Sequence, residues 1–303
     1  MKKSRLAERY RVTRPDSFRL KSVDPDDCAG LQSEEKAHAR LVEGVERISE
    51  LQARLYAEHK WSLLLVIQAM DAAGKDSLIK HVMTGINPQG TVVEAFKQPS
   101  TEELNHDFLW RCQVKLPSNG HIGIFNRSYY EEVLIVRVHE EILRGQRLPE
   151  EAFDDGGIWK GRYRSIVDFE DHLFRNGTRV LKFFLHVSKE EQRARFLSRL
   201  DDADKRWKFS AFDLRERERW DEYMRAYAHC LAATTTARSP WFIVPADDKP
   251  NARLIVSQAI VEALDDLDMR FPELDQAAQR ELRALRKRLV TPEAAPRRRR
   301  RRG

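Results

Sequence analysis

The spacing of hydrophobic residues along the chain changes near residue 60. In residues 35–59 apolar side chains recur every three or four positions, which predicts one face of an amphipathic helix. These residues are Leu41, Val45, Ile48, Leu51 and Leu55. Beyond residue 60 the apolar positions form short continuous runs, which are typical of strands buried on both faces. The predicted strands are 63–69, 92–96, 122–125, 180–187 and 241–245.

Helical periodicity fills the segments between these strands. The predicted helices are 75–83, 102–113, 159–176 and 189–200, and 251–289 forms one or two more with a break at Pro272. Buried strands that alternate with helices indicate a parallel sheet covered on both faces. We therefore expect an α/β protein with three α/β/α layers, a five-stranded parallel sheet, an N-terminal helical arm and a C-terminal helical extension. Residues 1–32 lack a period and are predicted to be an extended arm ahead of one domain, 33–290.

Charge and composition narrow the class of protein. The 303 residues carry 54 Lys+Arg against 48 Asp+Glu, and the formal net charge of +6 is equalled by the arginine run Arg297–Arg302 alone. No apolar run approaches the roughly 20 residues of a membrane-spanning helix, and the basic N-terminus lacks the apolar stretch of a secretory signal. Three widely spaced cysteines argue against a disulfide framework or a zinc cluster. We expect a cytoplasmic protein without a membrane partner.

The arginine run near the C-terminus has two interpretations. Residues 291–303 are predicted to be a disordered, solvated tail. The alternative is an anchor for a polyanion such as RNA or a phosphate polymer.

A strand, a turn of small residues and a helix follow one another in residues 63–82. Gly74 and Lys75 stand at the start of the helix, where backbone N–H groups can surround an anion and an ammonium can reach its outer oxygens. Ala69 and Asp76 depart from the G-x-x-x-x-G-K-[ST] pattern, so a purely structural turn is the alternative. The candidate phosphate-binding residues are Ala72, Ala73, Gly74, Lys75, Asp76, Ser77 and Lys80.

Asp71 lies inside this loop, where it would repel a phosphate. Two like charges 4 Å apart cost roughly 1–4 kcal/mol at a surface-like dielectric. A magnesium ion between them removes this cost, since Mg²⁺ is commonly held by one or two carboxylates and phosphate oxygens. Capping of the helical turn is the alternative role. Because Asp76 offers no hydroxyl for the ion, Asp71 is the candidate ligand of Mg²⁺, or of Mn²⁺ in its place.

Two further segments carry candidate chemistry. After strand 122–125, Asn126 can coordinate or hydrogen-bond a ligand and Arg127 would face phosphates, although Ser128 and Glu131 also match a helix capping box.

Residues 193–208 hold six cations against three acids, as in a kinase lid that closes over phosphates. A solvated charged helix is the common alternative. The candidate lid, about 193–220, contributes Arg195, Arg199, Lys205 and Lys208.

These three segments resemble those of the polyphosphate kinase 2 family. The matching motifs are MDAAGKD at 70–76, FNRSYYEEV at 125–133 and K-x-W-K-x-S-x-x-D at 205–213. Ordered matches continue with INPQG at 86–90, LWR at 109–111, KFFLHVSKEEQ at 182–192 and PADDK at 245–249. The resemblance spans roughly residues 30 to 265. It implies a P-loop kinase fold of the thymidylate-kinase type and Mg²⁺-dependent phosphoryl transfer between inorganic polyphosphate and a nucleotide.

The resemblance also implies residue roles. Lys75 would bind the transferring phosphate, Asp71 would hold the metal, and the four lid cations would line the polyphosphate. Residues implied to contact the acceptor nucleotide are Asn87, Arg111, Arg127 and Glu131. Asn126 together with Glu131 is similar to the subgroup that accepts AMP as well as ADP. A homo-oligomer without a specific nucleic-acid partner is implied too.

The sequence leaves two other functions open. An ATP-dependent nucleoside or nucleotide kinase would share this fold and would not turn over AMP or ADP with polyphosphate alone. A non-enzymatic polyanion binder would act through Arg297–Arg302 and would not need a metal-holding Asp71 beside Lys75.

Overall fold

Five parallel strands form one sheet in the order β2-β3-β1-β4-β5. The structure is a computed structural model that describes residues 6–28, 30, 33–204, 206–208 and 210–290, without the side chains of residues 154–156 and 208. The strands are β1 (Ser62–Ala69), β2 (Thr91–Ala95), β3 (Ile122–Asn126), β4 (Thr178–His186) and β5 (Trp241–Pro245). The predicted α/β class with a five-stranded parallel sheet is confirmed.

Helices occupy most of the segments between the strands. The α-helices are α1 (Glu34–Glu58), α2 (Lys75–Val82), α3 (Trp110–Gln113), α4 (Ile135–Val138), α5 (Glu140–Arg144), α6 (Ile158–Arg175), α7 (Lys189–Asp201), α8 (Ala211–Glu218), α9 (Trp220–Thr234), α10 (Lys249–Asp265) and α11 (Gln276–Val290). Short 3-10 helices are Leu6–Tyr10, Pro15–Ser17, Leu20–Ser22, Pro88–Gly90, Glu103–Asn105, Tyr129–Val133, Glu150–Gly156 and Arg206–Lys208.

The predicted helix 102–113 is wrong. The structure has the 3-10 helix Glu103–Asn105, a break, and then the single turn α3. At the break the Asp107 carboxylate accepts a hydrogen bond from Leu109 N at 2.9 Å. Such local side-chain bonds compete with the helical backbone ladder.

Burial of apolar faces orders these elements around the sheet. Every residue of β1 is buried, whereas the edge strand β2 exposes Val92 and Val93. α1 packs on α10, where a side chain at Gly44 would meet Ser257 Oγ at 2.7 Å. The close approach of the two helices therefore depends on this glycine.

The chain divides into a first unit that ends at Arg270 and a second that begins at Phe271. In the first unit the segment predicted as an arm contains three 3-10 helices and buries Ala7, Tyr10 and Leu20 in the core. The second unit contains α11. The predicted tail, 291–303, lies outside the described residues, and the domain boundaries stay predictions. None of the described helices has the length and apolar character needed to span a bilayer.

A lysine lies in the middle of the sheet. Lys182 of β4 is fully buried, and its ammonium donates to Glu170 Oε2 at 2.6 Å, Thr234 O at 2.6 Å and the Tyr130 hydroxyl at 3.1 Å. The hydroxyls of Tyr129 and Tyr130 donate to Glu170 Oε1 at 2.9 and 2.8 Å. All three ammonium donors are therefore used, as burial of a charge requires.

Candidate active site

The carboxyl ends of β1 and β3 lie side by side near the centre of the sheet. Ile67 pairs with Asn126, and Arg127 N donates to Ile67 O at 3.1 Å. The chain then crosses from β3 to β4 on the other side of β1, so the strand order reverses here. Ligands of open α/β sheets bind at such a reversal. The loop after β1 and the segment after β3 meet at this point.

The loop after β1 has the geometry of an anion-binding turn. Ala72 and Gly74 have positive φ angles of 62° and 106°, and Gly74 is the N-cap of α2. The first turn of a helix presents N–H groups that have no partner within the helix. Lys75, half-buried, donates from Nζ to Ala69 O at 3.0 Å. Burial, followed by the nearby Arg127 cation, lowers the pKa of Lys75.

Arg127 joins two carboxylates at the mouth of this loop. Its Nη2 lies 2.9 Å from Asp71 Oδ1, and its Nη1 lies 3.8 Å from Glu131 Oε2. The φ angle of Arg127 is +64°, an uncommon backbone conformation that often marks functional sites. The charges of Glu131 and Asp71 raise the pKa of Arg127, so its cation is retained.

Glu131 does not complete the capping box. With its side-chain amide in the orientation that satisfies both ends, Gln68, buried in β1, donates to Glu131 Oε1 at 2.8 Å and accepts from Ser128 N at 3.1 Å. Ser128 Oγ accepts from Tyr130 N and caps the 3-10 helix Tyr129–Val133. Gln68 is thus a site residue that the sequence prediction missed. Its signal was a lone polar side chain within the apolar run of β1.

A second bridge connects α2 with β3. Asn126 Nδ2 donates to Asp76 Oδ1 at 2.7 Å. The structure therefore brings six of the predicted site residues together at the ends of β1 and β3. They are Asp71, Lys75, Asp76, Asn126, Arg127 and Glu131.

Arg195 does not have the exposed position that is expected of a cation on an open lid. It is buried, and its two Nη atoms donate to the carbonyls of Ala72, Ala73, Ala246 and Asp247 at 2.6–3.2 Å. Its Nε pairs with Glu191 at 2.7 Å. A loop that offers its N–H groups to an anion turns carbonyls inward, and buried carbonyls need donors. Arg195 supplies them, and its direct contact with polyphosphate stays a prediction.

The structure describes the three other lid candidates, Arg199, Lys205 and Lys208, in differing detail. Arg199 is half-buried, with its guanidinium 5.8 Å from the Phe196 ring centre. Lys205 lies outside the described residues, and Lys208 is described only through the backbone of the 3-10 helix Arg206–Lys208. Burial and then the Asp71 carboxylate raise the pKa of Asp213, the last residue of the lid motif. Because Asp213 belongs to α8, the interaction of its carboxyl group with the Asp71 charge indicates that α8 lies near the site.

A hydrogen-bonded chain also joins α8 to the loop after β1. Gln192 is buried and donates from Nε2 to Asp71 O at 2.9 Å. Its Oε1 accepts from Arg217 of α8 at 2.9 Å, and Arg217 donates also to Lys189 O at 2.7 Å. The sequence prediction missed Gln192 and Arg217, since neither could be paired with a partner from the sequence alone.

Two residues predicted to contact the acceptor make other contacts. Asn87 is exposed and caps the 3-10 helix Pro88–Gly90 by accepting from Gln89 N at 3.0 Å. Arg111 is buried, donates to Lys97 O at 2.9 Å and lies over the Phe96 ring. Their roles toward a nucleotide stay predictions.

Two more residues predicted to bind phosphate, Ser77 and Lys80, lie on α2 after Lys75. Ser77 Oγ accepts from Arg253 Nη2 of α10 at 3.0 Å, whereas the Lys80 side chain is exposed. Ser77 thus fixes α2 against α10, and contact of either residue with phosphate stays a prediction.

Comparison with known proteins decides the family. The family model of polyphosphate kinase 2 matches residues 31–272. The chain belongs to the polyphosphate kinase 2 family. An "ADP-polyphosphate phosphotransferase" of Rhodopseudomonas palustris is 56% identical over 259 residues, which are 86% of this chain and 90% of the relative. An "AMP/ADP-polyphosphate phosphotransferase" of Meiothermus ruber is 40% identical over 90% of this chain and 98% of its own.

A solved structure agrees with this assignment. The crystal structure of polyphosphate kinase 2 from Arthrobacter aurescens TC1 superposes with a TM-score of 0.83 at 40% identity, covering 92% of this chain and 96% of that one. The fold is therefore the P-loop kinase fold of the polyphosphate kinase 2 family, and the loop after β1 and the segment after β3 both lie within the matched residues. α11 begins at Gln276, beyond the end of the family match.

Phosphotransferases of the polyphosphate kinase 2 family use a divalent metal ion. In the described part of this chain no group of three or more His, Cys, Asp or Glu side chains could hold such an ion. The oxygen donors at the loop include the Asp71 carboxylate, the Asn126 amide and the Asp76 carboxylate, which accepts from Asn126. This donor set fits an ion that has few protein ligands and completes its coordination with phosphate oxygens and water.

Proposed function

We propose that this chain transfers phosphoryl groups from inorganic polyphosphate to AMP and ADP, forming ADP and ATP in a reversible reaction. Polyphosphate-dependent phosphorylation of nucleotides is the activity named for its relatives at 56% and 40% identity. One observation carries the assignment to residues. Arg127 pairs with Asp71 at 2.9 Å, and Lys75 begins α2 directly after the same loop, so that two cations lie close to one carboxylate.

The arrangement suits a donor that has neither base nor sugar. Polyphosphate can be recognised only through cations, backbone N–H groups and metal, and the loop with Lys75 offers the first two. Asp71, with Asn126 nearby, would hold Mg²⁺, or Mn²⁺ in its place; the ion would neutralise charge on the transferring group. Arg127 would orient the acceptor's terminal phosphate.

The transfer needs positioning and charge neutralisation and no covalent protein intermediate. The bond from the terminal phosphorus of the polymer to its bridging oxygen breaks. A bond forms from that phosphorus to an oxygen of the acceptor's terminal phosphate. The polymer is shortened by one phosphate, and the nucleotide gains it.

Three further parts of the proposed function rest on the sequence. Residues 33–290 form the kinase domain, within which about 193–220 act as a lid that brings Arg199, Lys205 and Lys208 to the polymer. The enzyme works in the cytoplasm as a homo-oligomer. Light scattering coupled to size-exclusion chromatography gives the oligomeric state directly.

An acceptor and donor matrix tests the function. The purified chain is given long-chain polyphosphate with Mg²⁺ or Mn²⁺ and one of AMP, ADP, GMP or GDP. We expect ADP from AMP and ATP from ADP, in a reaction that chelation of the metal stops. If polyphosphate supports no nucleotide product and ATP phosphorylates a nucleoside or nucleotide instead, the chain is an ATP-dependent kinase.

The use of AMP is expected to depend on Glu131. This residue fixes Arg127 from one side while Gln68 fixes Glu131, so its loss alters where an acceptor phosphate is held. In Glu131→Asn we expect kcat/KM for AMP to fall about tenfold further than kcat/KM for ADP, a difference of about 1.4 kcal/mol. The exposed Glu102→Asn is the control. Equal losses on the two acceptors would contradict the role of Glu131.

A further inference from the structure

The second unit of the chain carries an amphipathic helix whose apolar side is exposed. In α11 the residues Ala278, Leu282, Leu285 and Leu289 are spaced by four, three and four positions, which places them on one face. The three leucines are 51%, 41% and 87% exposed, and no residue of α11 is buried. A leucine stripe of this kind on a helix indicates a surface with a partner.

The rest of α11 is strongly basic. Its charged residues are five cations and the single acid Glu281, and the helical period places most of the cations away from the leucine stripe. The cations are Arg280, Arg283, Arg286, Lys287 and Arg288. The sequence continues beyond the helix with the run Arg297–Arg302. A partner of α11 therefore has to accommodate leucines and several positive charges together.

A polyanion and a second copy of α11 are two possible partners, and neither matches both the leucines and the cations of this surface. A polyanion such as polyphosphate would neutralise the cations but would leave the leucines in water. A second copy of α11 could cover the leucines, but the helix has 15 residues, about two heptads, and stable coiled coils need three or four. Pairing would also bring two helices together that each carry a net charge of +4, counting five cations against one acid.

We propose that α11 binds to the surface of an anionic lipid bilayer, with its leucines in the acyl boundary and its cations among the headgroups. A helix with one apolar face and a strongly basic polar face is the kind of helix that lies in a bilayer interface. The sequence-based expectation of no membrane partner rests on the lack of a spanning segment; a helix that lies on a bilayer does not cross it, so the proposal departs from that expectation without requiring such a segment. The proposal does not depend on the phosphoryl-transfer site, because α11 lies outside the family match even though the proposed domain 33–290 includes it.

Vesicle flotation of the full chain tests this surface. One set of vesicles contains phosphatidylglycerol mixed with phosphatidylcholine, and the other contains phosphatidylcholine alone. We expect at least about tenfold tighter binding to the anionic set, with affinity that falls as salt rises. Phosphoryl transfer measured without vesicles gives a separate readout of the first unit.

Matched variants separate the lipid surface from its alternatives. The triple variant Leu282→Gln, Leu285→Gln, Leu289→Gln keeps the charge and uses a good helix former, and we expect it to lose at least about tenfold in vesicle affinity. The control changes three exposed apolar residues of the first unit: Val42→Gln, Leu104→Gln and Ile142→Gln.

Three results would overturn the assignment. The first is equal binding to both vesicle sets. The second is anionic binding that survives the triple glutamine variant and is lost on deletion of residues 297–302, which would indicate a polyanion anchor. The third is an oligomer that the triple variant dissociates while the wild-type chain floats with neither vesicle, which would indicate a second copy as the partner.

Discussion

Replacement of Lys75 by alanine is expected to reduce kcat/KM for polyphosphate and ADP by at least about 10²- to 10³-fold. This is the range found when one preorganised donor is removed from a transition state. Lys75 stands at the junction of the loop after β1 and α2, within the field of Asp71 and Arg127. No other described residue occupies that junction, and the Lys80 side chain further along α2 is exposed.

The fold is expected to survive this substitution. The described hydrogen bonds of the Lys75 ammonium are to the backbone carbonyls of Ala69 and Met70, at 3.0 and 3.5 Å. Thermal unfolding and circular dichroism of Lys75→Ala should therefore match the wild-type chain closely. Lys60→Ala, at an exposed lysine, is the control. Near-normal kcat in Lys75→Ala would reject the assigned site, and a large drop in Tm would reassign Lys75 to a structural role.

The local part of the site was predictable from the sequence, because neighbours in the chain build it. An apolar strand, a turn of small residues and a helix starting at Lys75 are predicted to follow one another in residues 63–82, and the structure has this order. The same reasoning failed at 102–113, because helical periodicity does not reveal that Asp107 bonds its own backbone two residues later. The spacing of apolar residues indicates which face of a helix is buried. It does not indicate whether a side chain competes for the backbone hydrogen bonds of that helix.

The long-range part of the site could not be predicted. Arg195 has the sequence context of a solvated helix, yet only 8% of it is exposed, and its donors reach carbonyls more than 50 residues away in the chain. Gln68 and Lys182 each interrupt an apolar strand, which is a signal that a polar side chain is buried. The signal does not identify the partner, because Glu131 and Glu170 come near only when the sheet and its helices are assembled.

Replacement of Lys182 by methionine is expected to destabilise the fold by about 3–5 kcal/mol. The change leaves the Glu170 carboxylate, 1% exposed, without its cation, and the loss of one partner from a buried pair has this magnitude. Glu170→Gln should destabilise too, because the Lys182 ammonium then lacks an opposite charge. Urea unfolding followed by circular dichroism measures both. The surface pair Arg164–Asp168 provides the control, and its removal should cost at most about 1 kcal/mol.

The double variant tests whether the two charges act as a pair. In Lys182→Met with Glu170→Gln neither position carries a charge, and the amide oxygen can still accept from Tyr129 and Tyr130. We expect the double variant to be more stable than the sum of the single losses predicts, by about 0.5–3 kcal/mol. Additive losses would mean that Lys182 and Glu170 stabilise the fold through separate contacts.

The pH dependence of Lys182→Met gives an independent readout of the buried carboxyl group. Burial raises the pKa of Glu170 above its ordinary value of 4.5, and loss of the Lys182 cation should raise it further. A raised folded-state pKa means that the folded protein binds the proton more tightly than the unfolded chain. The penalty of Lys182→Met should therefore be smallest below the ordinary pKa and should grow as pH rises through the folded-state pKa. A free-energy difference from wild type that does not change as pH rises above the ordinary pKa of 4.5 would contradict this expectation.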